Sequence, residues 1–164
     1  MLFDGKDFFV DESNAEDIIE ITEIYNSNKE FLKKHTNKEN VTFDWLLEDL
    51  KETRNSGFSP CKIVDKESGA ILGILDFKLS SETYLSLFML HNKYINKGIG
   101  KTVFAEFESY AKNNGSHAIR IDVVDSKNED ALRFWVKRGF QKIKEVSLSW
   151  GDAILQASLM KKDI

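Results

Sequence analysis

Asn96-Lys97-Gly98-Ile99-Gly100-Lys101-Thr102 is the stretch on which the fold of this chain turns. Ahead of it, Thr83-Tyr84-Leu85-Ser86-Leu87-Phe88-Met89-Leu90 is a nearly continuous apolar run with the length of a strand buried on both faces. Behind it, Ile99, Val103, Phe107 and Tyr110 recur at helical spacing, and Phe104 and Ala111 widen the stripe. Asn113-Asn114-Gly115 stops that helix, and a second apolar run, His117 to Val124, returns as a strand. Strand, glycine turn, helix and strand make a β-α-β unit, which predicts two parallel strands joined by a right-handed crossover.

The two glycines stand where the backbone leaves the strand and opens the helix. Main-chain N–H groups in that first turn have no intrahelical acceptor and point outward at the positive end of the helix dipole. Such a turn is a phosphate cradle: glycine lets an anion approach bare backbone, and Lys97 and Lys101 add charge at its edges. A Walker A loop would need a further glycine where Ile95 stands, so Gly100-Lys101-Thr102 does not belong to one. A dinucleotide fingerprint would need a third glycine at Val103.

The stretch from Met89 to Lys101 resembles the pyrophosphate loop of the GCN5-related N-acetyltransferase family, written [QR]-x-x-G-x-[GA]. Gly98 and Gly100 match it, whereas Ile95 stands where the family usually has Gln or Arg. The backbone cradle is kept and one side-chain contact is not. Asn128, Ala131, Phe134, Trp135, Gly139 and Phe140 resemble the family's second recurring segment, an Asn-x-x-Ala helix ending in Gly-Phe.

The resemblance implies a mixed, mostly antiparallel α/β sheet whose one parallel pair splays around acetyl-CoA, with helices on both faces. It places Met89, Leu90, Asn96, Lys97, Gly98, Ile99, Gly100, Lys101, Thr102, Asn128 and Trp135 against the cofactor. The implied chemistry is direct attack of a primary amine, on a small molecule or a peptide, upon the acetyl thioester. Many family members carry at the place of Trp135 a tyrosine that protonates the departing thiolate, a step an indole N–H cannot perform.

An alkylammonium of pKa near ~10.4 must also lose a proton. The run from Tyr84 to Leu90 holds no carboxylate, which leaves His91 at its end, Asp76 before it and Glu82 at its start. His91 has a suitable intrinsic pKa, near ~6.5, although a histidine at a strand-to-loop junction commonly just holds a turn. A free N–H at the splayed strand end, at Leu90, would serve the oxyanion. The departures at Ile95 and Trp135 keep a second class open, a coenzyme A-binding module of the same fold with little or no turnover.

At 164 residues and 41% hydrophobic content, residues 1–164 are expected to form one domain with a substantial core. A net charge of -4 gives no footprint for nucleic acid, and no window has transmembrane length. Cys61 is the only cysteine and residues 1–10 lack a secretory pattern, so a cytoplasmic protein without disulfide or metal site is expected, as a monomer or homodimer.

Phe8 to Glu12 reads as a strand, Ser13 and Glu16 as a capping box, and Ile18, Ile21 and Tyr25 as one helix face. The polar residues around Phe31-Leu32 read as a connection or a substrate-facing lid. Thr42 caps a helix striped by Phe43, Leu46, Leu47 and Leu50, and Cys61–Val64 pairs with Ala70–Leu79 as a hairpin. Ser126 and Glu129 cap the next helix, and Gln141–Leu148 with Ala153–Met160 form a terminal hairpin.

Overall fold

The computed structural model describes residues 1–124 and 129–164. Its strands are β1 (Phe3–Asp4), β2 (Phe8–Glu12), β3 (Ser59–Asp65), β4 (Ile71–Lys78), β5 (Glu82–Leu90), β6 (Ala118–Val124), β7 (Gln141–Trp150) and β8 (Ala153–Asp163). Its helices are α1 (Ile18–Ser27), α2 (Lys29–Thr36), α3 (Phe43–Asn55), α4 (Ile99–Asn113) and α5 (Glu129–Val136). The strands form one sheet in the order β1-β2-β3-β4-β5-β6-β8-β7. Among the described residues its neighbours are antiparallel except β5 and β6, which are parallel as the β-α-β unit requires.

Each face of the sheet has its own core. On one, Val103, Phe104, Phe107 and Ala111 of α4 pack with Val10, Ile63, Phe77 and Ile121 of the strands. On the other, Ile21, Ile24 and Tyr25 of α1, Leu32 of α2 and Leu46 of α3 cover Ile71, Ile74, Leu87 and Met89. Removing side chains of this size from water is the main favourable contribution to folding, at roughly 1.5–3 kcal/mol each.

A bulge in β5 decides where the sheet opens. Leu85 faces Phe77 and Leu87 faces Asp76, so Ser86 is an extra residue with no partner of its own on β4. An extra residue bends its strand and sharpens the local twist. It also reverses the alternation, which sends Leu85 into the α4 core and Leu87 and Met89 into the α1 core. The parallel pairing ends just before it: Glu82↔Ala118, Thr83↔Ile119 and Tyr84↔Arg120 are matched, after which the two strands diverge. In consequence β5 is not buried on both faces, since Tyr84, Phe88 and Leu90 are half-buried and Ser86 is exposed.

Local details depart from expectation for identifiable reasons. The first cap lies one residue later than Ser13: Asn14 Oδ1 accepts from Glu16 N at 2.8 Å and the Asp17 carboxylate accepts from Asn14 N at 2.8 Å. Ser13 instead continues the strand, donating its N–H to the Pro60 carbonyl at 2.9 Å. The expected polar connection contains α2, an eight-residue helix that buries only Leu32 and His35 and stops at left-handed Asn37. Thr42 caps α3, accepting from Trp45 N, but only Leu46 and Leu50 of its expected stripe are buried. Phe43 and Leu47 remain exposed. Ser126 and Asn128 lie outside the described residues.

Candidate active site

At the end of β5 the Leu90 side chain lies between two glycines. A Cβ at Gly73, opposite Leu90 on β4, would stand 2.4 Å from the Met89 carbonyl oxygen and 2.7 Å from Leu90 Cδ2. No side chain fits there. A Cβ at Gly100 would meet Phe134 at 3.5 Å and Leu90 Cδ1 at 3.7 Å, so this glycine sets how closely α4 approaches α5 and the sheet.

Gly98 has another role. It is the N-cap of α4 with φ 82°, a left-handed conformation that costs other residues roughly 1–2 kcal/mol, and its absent Cβ would point into open space. Asn96, also left-handed at φ 59°, helps turn the chain. The first-turn N–H groups at Ile99, Gly100 and Lys101 therefore open onto an unobstructed hollow at the positive end of a fifteen-residue helix with no acid in its first turn. These features fit a pyrophosphate. Thr102 Oγ1 donates back to the Gly98 carbonyl at 3.3 Å. Lys97 Nζ lies 5.9 Å from the Tyr94 ring. Ile95 is 42% exposed beside a hollow bordered by Lys34, Asn92 and Glu129.

The ladder turns bare backbone into the gap between β5 and β6. His91 N donates to Leu72 O at 2.9 Å, so the facing residues Gly73 and Leu90 do not bond to each other. Alternation then points the N–H groups of Leu90 and Phe88 away from β4, toward the divergence. Met89, by the same alternation, presents its N–H to β4, and its side chain is buried against α1. The α1–α2 junction is fastened to this strand end: Asn28 Nδ2 donates to Leu90 O at 2.9 Å, and Asn92 N donates to Ser27 Oγ at 3.0 Å.

Between the diverging strands runs a cleft of about 470 Å³, from Ala131 and Trp135 on one face of the sheet to Asp49, His35 and Trp150 on the other. Where the strands part, Tyr84 Oη donates to Asp122 Oδ2 at 2.7 Å. Arg120 holds the same carboxylate with both its Nη2, at 2.8 Å, and its Nε, at 3.2 Å. Burial, and then the hydrogen bond to Asp122, push the Tyr84 hydroxyl well above its usual range.

Asp76 is nine-tenths buried and lines the cleft. Burial above all, and then the charge of Asp49, push its carboxyl up to about 8, while the Cys61 backbone N–H and Arg54 oppose the shift. Asp49 is raised as well, chiefly by burial, although Trp150 Nε1 donates to its Oδ1 at 3.2 Å. His35 Nδ1 lies 2.8 Å from the Phe31 carbonyl. An acceptor there makes Nδ1 the protonated nitrogen and leaves the Nε2 lone pair. Burial holds this imidazole below its usual pKa.

Trp135 lines the cleft, with its ring 5.2 Å from both Phe104 and Phe140 and 6.2 Å from Phe88. His91 does not line it; its Nδ1 accepts from Lys93 N at 3.1 Å and so holds the turn after β5. Glu82, at the far end of β5, pairs with Lys161. Asn128 lies outside the described residues. Asp49, His35, Tyr84, Asp122 and Trp150 were not singled out from sequence. Asp49 offered one signal, an acid flanked on the inner face of α3 by Leu46 and Leu50.

A family model described as "Acetyltransferase (GNAT) family" matches residues 18–140. No curated protein sequence matches the chain. Among solved structures, an acetyltransferase from Thermus thermophilus superposes with a TM-score of 0.79 at 16% identity, covering 97% of this chain and 98% of that one. The PaiA N-acetyltransferase from Thermoplasma acidophilum, in complex with coenzyme A, gives 0.67 at 17% identity over 97% and 100%. YncA from Salmonella typhimurium, with its cofactor acetyl-CoA, gives 0.66 at 18% identity over 96% and 94%. At these identities the likeness is one of fold. Among the described residues no helix is long and apolar enough to cross a membrane.

Proposed function

Because the chain belongs to the acetyltransferase (GNAT) family, we propose that residues 1–164 act as one unit that acetylates a primary amine on a small molecule or peptide. The observation that carries this reading is the divergence of β5 and β6 after three residue pairs, with the glycine cradle at its rim. Acetyl-CoA, the cofactor of the family, would supply an acetyl thioester open to attack by the amine nitrogen.

The protein's own groups divide the remaining work. The first turn of α4 would hold the pyrophosphate, with Asn96, Lys97 and Lys101 at its edge and no help from Ile95. Leu90 and Phe88 would offer backbone N–H groups in the gap, where a donor stabilises charge building on the thioester oxygen. Trp135 would wall the thioester end. Asp76, pushed up to about 8, takes the ammonium proton in its ionised form, whose share grows as pH rises through about 8. His91, engaged in its turn and outside the cleft, is displaced from that role by Asp76 in this reading. Thiolate protonation falls to water or the amine's second proton, since a thiolate with a pKa near ~8.5 is a tolerable leaving group.

Turnover rather than cofactor binding alone is favoured by the buried, shifted carboxyl in the cleft, a feature typical of catalytic sites. Release of free thiol from acetyl-CoA across a panel of amines tests it. Amine-dependent release is expected. Saturable acetyl-CoA binding with no thiol release for any amine would favour the binding module. The buried single cysteine suits a reducing cytosol as the working compartment.

A further inference from the structure

The charge on the cleft wall is one-sided. Among the described residues that line it, Asp49, Glu52, Asp76 and Asp122 are acidic and none is Lys or Arg. Arg120 meets the charge of Asp122 at 2.8 Å. For Asp49, Glu52 and Asp76 no ion pair is found among the described residues, and Asp76 is nine-tenths buried. Arg54, a cation that acts on Asp76 from a distance, donates its Nη2 to the Ser13 carbonyl and does not line the cleft.

Beside these acids stands an aromatic wall. Phe31 stacks on His35 at 3.8 Å, and Trp150 meets Phe31 edge-on at 5.7 Å. The indole N–H that reaches Asp49 fixes this ring next to the carboxylate. The apolar body of an amine held at Asp49 would therefore lie among these rings.

Resting on the acetyl-transfer reading above, we propose that the acceptor is a small primary amine without an acidic group, its ammonium drawn to Asp49 and Glu52 beside Asp76 and its apolar body against Phe31 and Trp150. An α-amino acid would bring its own carboxylate within a few ångströms of these acids, with no arginine or lysine among the described residues of the wall to receive it. A cleft of about 470 Å³ that also admits the thioester end leaves room for a small body. In the reaction the ammonium gives one proton to the ionised Asp76 carboxylate, the amine nitrogen bonds the acetyl carbon, the thioester C–S bond breaks, and the nitrogen's second proton goes to the departing thiolate.

Matched pairs that differ by one carboxylate test this directly: phenethylamine against phenylalanine, and 3-methylbutylamine against leucine. Binding is measured by calorimetry with free coenzyme A present, where no turnover occurs, and kcat/KM by thiol release from acetyl-CoA. The amines are expected to bind and to exceed their amino acids in kcat/KM by roughly a hundredfold or more. Asp49→Asn, which keeps the side chain's shape, and the exposed-site variant Glu52→Gln are expected to shrink that preference.

Amino acids accepted as well as the amines, a tripeptide amide preferred to both, or a preference untouched in both folded variants would each overturn the proposal. If acetyl-CoA binds but neither amine does, the acceptor class is wrong and the acetyl-transfer reading stands. If acetyl-CoA itself fails to bind, that reading falls and takes this one with it.

Discussion

Asp76→Asn should make the protein both more stable and less active, because it removes an ionisation that the fold resists and the chemistry uses. The carboxyl titrates at about 8 in the folded chain against 3.8 as its ordinary value. Over the window between those values the unfolded chain has released the proton and the folded chain retains it. The unfolded state thus binds fewer protons, and stability falls as pH rises from about 4 to about 8. Asparagine keeps the shape without that penalty. At about 1.4 kcal/mol per pH unit, the variant gains on the parent by up to ~4 kcal/mol between pH 5 and pH 8. For a chain of this length 1 kcal/mol moves Tm by about 2–4 °C, so the Tm gap should widen by up to roughly 15 °C over that range. Scanning calorimetry at pH 5, 6, 7 and 8 reads the gap. Thiol release should fall by roughly 10²–10⁴ in kcat/KM, the usual cost of losing a general base. A Tm gap that stays flat with pH would show Asp76 already ionised in the fold and refute the reasoning.

Gly98→Glu places a side chain at φ 82° and a negative charge in the cradle, and should abolish coenzyme A binding in a protein whose circular dichroism is unchanged. Retained affinity would move the pyrophosphate site elsewhere. Trp135→Tyr should alter kcat/KM by less than about tenfold, under ~1.4 kcal/mol of barrier, if the thiolate needs no dedicated acid. A silent parent awakened by tyrosine would instead mark a site that lacks only that acid. Asn28→Ala frees the Leu90 carbonyl and should weaken acetyl-CoA binding while costing about 1 kcal/mol of stability in urea titrations. Unchanged affinity would detach the α1–α2 junction from the strand end it fastens.

The parts of the fold legible in the sequence are those whose signals are local. Gly98, the 3.6-residue stripe of α4 and the apolar runs on either side specify the β-α-β unit because turn, helix period and strand length all lie within about 40 residues. The helix α2 was hidden because Leu32 and His35 are its only buried side chains, too few to raise a period above a polar background. Ser86 interrupts an apolar run and is the bulge, yet a small polar residue in a strand does not say which neighbour it lacks. The cleft was least legible. Tyr84 and Asp122 meet across 38 residues of chain, and Trp150 reaches Asp49 across 101. On α3 an acid is the ordinary surface residue, so Asp49 gains its meaning only from the strand and hairpin packed against it.

Titration of acetyl-CoA into the protein by isothermal calorimetry, with Gly98→Glu as the companion, tests the central claim most directly. One saturable site is predicted for the parent, with heat lost in the variant. A ligand at a hundred times its Kd should add about 2.7 kcal/mol of stability, seen as a rise in Tm. No binding heat and no Tm shift at millimolar acetyl-CoA, from protein that is folded, would contradict the account.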